Sequence, residues 1–118
     1  MFGTIVLSIL MALTTPPGCP DVTQEYVGVY QITAYSYEEG GGENYFTAGG
    51  YTPTPWYTVA TTDEFELGTI LYIEDIGEVQ VQDRGAFPEG VIDLHVGHMD
   101  PEEWGVQQKK VYIVGGSQ

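Results

Sequence analysis

Basic residues are scarce in this chain. Only Arg84, Lys109 and Lys110 stand against 17 Asp plus Glu in 118 residues, and the formal net charge is −14. Nucleic-acid binding rests on cations that displace counterions from phosphates, so a DNA or RNA partner is excluded by repulsion. An anionic membrane surface is disfavoured for the same reason. Acidity of this degree suits a saline setting, where screening is strong. Cysteine is reduced to Cys19, which rules out an intramolecular disulfide. His95 and His98 are the only histidines. With no Cys pair at metal-site spacing, a zinc site built from His and Cys is not expected, and no cofactor is called for. No run reaches the roughly 20 apolar residues that span a bilayer, so stable membrane insertion of the mature domain is not expected. The length leaves no room for two domains, a Rossmann unit plus a substrate domain, or a solenoid.

What is present points to a β-rich globule. Hydrophobic residues make up 42% and aromatics 13%, with nine Tyr, enough to bury a core despite the charge. Sixteen Gly is about twice the usual share. With the prolines and tyrosines they indicate tight turns between short strands. Residues 2–13 form a short uncharged apolar run followed by Thr14-Thr15-Pro16-Pro17-Gly18. The run has the length of a signal-peptide core, although no basic residue precedes it. A buried first strand or an interface segment are the other readings. Residues 1–18 are expected to be removed or to lie outside the domain, with 19–26 as a linker and 115–118 as a tail. Gly18-Cys19 is like a lipoprotein cleavage site, but Pro16 and Pro17 stand where that site wants an aliphatic residue, so lipidation is not expected.

Between residues 27 and 114 the pattern is that of strands. Val27, Val29 and Ile32 alternate with Gly28, Tyr30 and Gln31, and Thr33-Ala34-Tyr35 follows. Residues 38–44 read as a solvated Gly-rich loop. Pro53 and Pro55 keep 51–56 extended. Strands are expected over 56–61, 69–73, 78–82, 91–96 and 110–114. Asp100 caps one helical turn at 101–104, where Pro101 suits the first position and Glu102 and Glu103 favour the N-terminal end. Six short strands with one helical turn predict a small all-β barrel or sandwich.

Three aspartates are the candidates for chemistry. Asp83 opens a Gly-containing loop, Asp93 lies inside Val91-Ile92-Asp93-Leu94-His95-Val96, and Asp63 follows Thr61-Thr62. With period two, Asp93 and His95 share one face and Ile92, Leu94 and Val96 the other. Without further information these are the wet face of a half-exposed strand and two turn acids.

The order of short motifs lifts them above that. The chain reads Ile32-Thr33-Ala34-Tyr35, Phe46-Thr47-Ala48-Gly49-Gly50, Thr58-Val59-Ala60-Thr61-Thr62-Asp63 and Leu67-Gly68-Thr69-Ile70-Leu71-Tyr72-Ile73. It continues Val81-Gln82-Asp83-Arg84-Gly85, Val91 to Gly97, Glu103-Trp104-Gly105-Val106-Gln107 and Val111-Tyr112-Ile113-Val114. From about Val29 to Val114 this resembles the 3D domain, named for three aspartates and shared by MltA-type lytic transglycosylases and small bacterial wall-remodelling proteins. The resemblance implies a six-stranded double-psi β-barrel. It maps the three aspartates onto Asp63, Asp83 and Asp93. Around Asp63 the family's two prolines are missing, and Thr61 is the other residue that could take the first position. After Asp83 the family commonly has Thr-Gly-Gly, whereas this chain has Arg84-Gly85-Ala86.

The activity implied is cleavage of peptidoglycan glycan strands between N-acetylmuramic acid and N-acetylglucosamine. The sugar's own C6 hydroxyl attacks the anomeric carbon and a 1,6-anhydro product forms. Ordinary glycosidases need two carboxyls; here the nucleophile belongs to the substrate, so one carboxyl serves as acid and then base. By the resemblance Asp93 has that role, Asp83 and Asp63 tune or position it, and Thr47 and Tyr35 line the groove. The expected setting is secreted or envelope-bound. The alternative is a non-catalytic wall-binding or structural module, including a virion-associated one.

Overall fold

In the computed structural model, residues 24–115 are described, apart from 41, 43 and 44. The apolar segment 1–18, most of the expected linker and the residues after Gly115 lie outside the described residues. The described residues form six strands: β1 (Glu25–Tyr35), β2 (Thr58–Thr61), β3 (Ile70–Ile73), β4 (Gly77–Arg84), β5 (Val91–His95) and β6 (Gln107–Gly115). They close into a barrel in the order β1-β5-β2-β4-β3-β6, with β6 returning to β1. The pairs β1/β5 and β2/β4 are parallel and the other four are antiparallel. An up-and-down barrel has only antiparallel neighbours, so the two parallel pairs require crossover connections. The fold class is the expected one, mainly β with a small closed six-stranded barrel.

The inward faces follow period two. Ile32, Val59, Leu71, Ile73, Val79, Val81, Ile92, Leu94 and Val111 are fully buried and fill the barrel. Each such side chain contributes about 1.5–3 kcal/mol relative to leaving it in water. In β1 the alternation shifts phase. Val29 is 54% exposed while Tyr30 is buried, because the register with β6 slips between Tyr26 and Gly28. A bulge inserts one residue and re-aims every side chain after it. Gly28, at φ 134°, takes the backbone shape that the bulge needs.

Among the described residues two helical turns are present where one was expected. The expected one, α2 (Pro101–Trp104), is capped by Asp100, whose carboxylate accepts from Glu102 N at 3.0 Å. Trp104 anchors it to β1 by donating from Nε1 to Ile32 O at 2.8 Å. The other, α1 (Tyr37–Gly40), overlaps the stretch 38–44 read as loop. Ser36 accepts from Glu39 N through Oγ at 3.3 Å, an N-cap that starts this turn.

Candidate functional site

The site is built from one row of residues across four strands. Thr33 on β1 pairs with Asp93 on β5, Asp93 with Ala60 on β2, and Ala60 with Asp83 on β4. Residues directly opposite one another in a sheet share a face. The last step depends on an irregularity. Thr58 pairs with Gln80 and Val59 with Val81, but Ala60 pairs with Asp83. The bulged strand carries Gln82 as its extra residue, and this turns Asp83 into the row. Ala60 therefore stands between the two aspartates and keeps the space between them open.

The two carboxylates have different surroundings. Asp83 is 7% exposed and accepts three hydrogen bonds. Ala48 N donates to its Oδ1 at 2.9 Å, Arg84 N donates at 2.8 Å, and the Tyr45 hydroxyl makes a short bond to Oδ2. It ties the 45–48 segment to the end of β4. Asp93 is only partly buried and accepts one bond, from Thr33 Oγ1 to Oδ1 at 2.8 Å. No described residue donates to its Oδ2. Burial raises the Asp93 carboxyl above the ordinary carboxylate range, the Thr33 bond opposes this, and the charges of Glu39 and Asp83 raise it further.

Both aspartates border an open cleft of about 280 Å³ together with Tyr35, Tyr45, Arg84 and Phe87. Tyr35 is 9% exposed, and its hydroxyl is buried without a hydrogen-bond partner. Burial raises its pKa, and the charges of Asp83 and Asp93 add to the effect, so the hydroxyl stays a donor. Tyr45 is pushed up to about 12 by burial and by its bond to Asp83. The Arg84 guanidinium turns away from the carboxylates: Nη1 donates to Thr61 Oγ1 at 3.3 Å and to Thr62 O at 3.2 Å. Gly85 lets the Phe87 ring lie against the backbone, since a Cβ there would sit 1.8 Å from Phe87 Cε2.

Of the residues singled out in the sequence, Asp83, Asp93 and Tyr35 meet at this cleft. Thr47 is buried one residue from the Ala48 amide that binds Asp83. Its Oγ1 accepts from Tyr51 N at 3.0 Å, so it shapes the turn and does not line the cleft. Asp63 is exposed in the turn after β2 and is not among the lining residues. His95 departs from its reading as the wet face of β5: it is 1% exposed. The β1–β2 connection covers it with the Tyr37 ring at 4.4 Å, and Tyr35 at the end of β1 adds its ring at 4.9 Å. Burial lowers its pKa, and the nearby His98 adds to this. Its Nδ1 accepts from Gly97 N at 3.0 Å, which places the proton of the neutral ring on Nε2.

Glu39, Tyr45 and Thr33 were missed. Thr33 was findable, because period two puts it on the face of Tyr35; Tyr45 has no local signal, since its role comes from a contact 38 residues away. The arrangement offers one carboxyl held by three donors and one with a free oxygen on a cleft, which is a setting for proton transfer. Among the described residues no group of three His, Cys, Asp or Glu could hold a metal ion. Neither the known family models nor the curated proteins contain a match to this chain.

Proposed function

We propose that the protein is a lytic transglycosylase acting on peptidoglycan glycan strands, with Asp93 as the single acid and base. The observation that carries this reading is the unequal pair: Asp83 is occupied by three donors, while Asp93 has a free Oδ2 on the cleft and a raised pKa. A protonated Asp93 gives its proton to the glycosidic oxygen as the C1–O bond breaks. The C6 oxygen of the same sugar bonds to C1, and its proton passes to Asp93. No water is consumed and the carboxyl ends protonated as it began. Asp83 holds the 45–48 segment in place and adds the negative charge that favours the protonated form of its neighbour. Tyr35 lines the same cleft and sets its unpartnered hydroxyl in the wall beside the two carboxylates. The reading places the protein outside the cytoplasm, secreted or in the cell envelope.

A second reading is a non-catalytic wall-binding or structural module, virion-associated or not. The position of Asp63 outside the cleft favours it, because the third carboxylate of the resembled family is then not at the site. Mass spectrometry of wall digests separates the two. The wild-type protein is expected to release 1,6-anhydro-muropeptides, Asp93→Asn to release none while still folding, and Asp63→Asn to stay near wild type. Absence of anhydro products from the folded wild type, across several wall types and salt concentrations, would overturn the catalytic reading in favour of the non-catalytic one.

A further inference from the structure

A second cleft, of about 390 Å³, shares no lining residue with the carboxylate cleft. Trp56, Trp104, Asp75, Ile76, Gln107 and Lys109 form it. Its volume lies in the range of small-molecule sites. Trp56 and Trp104 meet edge to face at 5.8 Å between ring centroids, and Trp56 remains 44% exposed. Trp104 is fixed from behind by its bond to Ile32 O.

Trp56 is also held in a costly shape. Its φ is 65°, a left-handed conformation that a bulky side chain rarely takes. Its N–H donates to His95 O at 2.7 Å, and Thr58 N closes the turn onto Thr54 O at 2.9 Å. Pro55 packs beside Gly97, where a Cβ would come within 3.3 Å. A glycine would adopt this backbone freely, so the turn itself gives no reason for an indole half in water.

The polar groups of the cleft decide what it can hold. Lys109, one of three basic residues in the chain, is 14% exposed and pairs with Asp75 at 3.1 Å. The single cation is thus matched by the single carboxylate of the lining, and no unmatched charge is left for an anion. Asp75, itself 72% exposed, and Gln107 still offer hydrogen-bonding groups at the rim. An apolar ring face beside charge-balanced donors and acceptors suits a pyranose, which has an apolar face and a hydroxyl edge.

We infer that this cleft binds one neutral sugar unit of a glycan, stacked on Trp56 with its hydroxyls toward Asp75 and Gln107. The choice of an N-acetylhexosamine rests on the proposed glycan substrate, whereas the stacking site stands without it. The platform and Asp93 share β5 as their frame: Trp56 is bonded to His95, two residues along the strand from Asp93.

The chain has only two tryptophans, and both line this cleft. Tryptophan emission of the full chain therefore reads it directly. Titration with the N-acetylglucosamine trimer is expected to give a saturable change in emission. An oligogalacturonate of the same length should give none. Trp56→Gly removes the ring and suits the backbone, so it should fold and weaken binding about tenfold or more, with Trp104 still reporting. Trp56→Tyr should retain binding. Unchanged wild-type emission at about 10 mM trimer, or Trp56→Gly binding like wild type, would overturn the inference. Saturable binding by a protein that releases no anhydro products would overturn the catalytic reading alone. Anhydro release without any emission change would overturn the platform alone.

Discussion

Tyr35 presents a hydroxyl that is buried, unpartnered and beside two carboxylates. A donor kept in that condition costs about 1–3 kcal/mol. Tyr35→Phe should therefore melt at or above the wild-type temperature while losing turnover on glycan. A clear drop in melting temperature would mean that the hydroxyl is structural instead. Asp93 gives the complementary case. Its carboxyl is raised by burial and by Glu39 and Asp83, so the folded chain holds that proton more tightly than the unfolded chain does. Ionised Asp93 thus costs stability above its folded pKa, and the cost vanishes as pH falls toward the unfolded value of about 3.9. Asp93→Asn keeps the acceptor for Thr33 and should melt higher than wild type at pH 7, with the gap closing near pH 4. A gap of constant size across that range would sink the account of its environment.

At the scale of elements, the site exists because β2 runs between β5 and β4 with a small residue at the crossing point. Ala60 pairs with Asp93 on one side and Asp83 on the other. Its side chain faces the cleft and not the barrel interior, so Ala60→Leu should leave the circular dichroism spectrum unchanged. It should reduce glycan cleavage by at least about tenfold by closing the space between the carboxyls, an effect of roughly 1.4 kcal/mol on the transition state. Full activity in a folded Ala60→Leu protein would show that substrate does not enter between the aspartates. Strand phase was legible wherever pairing stayed regular, as in Ile92, Leu94 and their polar neighbour Asp93. It failed where a bulge intervened, at Gly28 in β1, and where a connection folded back over the outer face, at His95. Neither event has a period in the sequence, because a bulge depends on the partner strand and a cover depends on where a distant segment lies.

For the whole molecule, charge sets the balance. With a net −14 at neutral pH, the closed barrel holds its acids closer together than the open chain does, and self-repulsion opposes folding. Salt screens exposed charges over about 10 Å at 0.1 M. The thermal midpoint should therefore rise between about 0.01 M and about 0.5 M sodium chloride. The two described ion pairs are exposed at one partner or both, so their weakening by salt should not reverse the trend. A midpoint that falls across this interval would show that those pairs outweigh the general repulsion.

The sequence by itself determined the number of strands, most of their spans, the capped turn at Pro101–Trp104 and the acidic surface. These follow from local rules: apolar alternation, turn residues and caps act within a few residues of one another. It also singled out Asp83 and Asp93, and Asp63 with them. Tertiary structure alone decided that Asp83 and Asp93 face each other across Ala60, that Tyr45 and Ala48 bind Asp83, and that Asp63 stands apart. It also brought Trp56 to Trp104. The physical reason is closure. Joining six short strands into a ring makes neighbours of residues tens of positions apart, and which ones meet depends on strand order, register and one extra residue in β4.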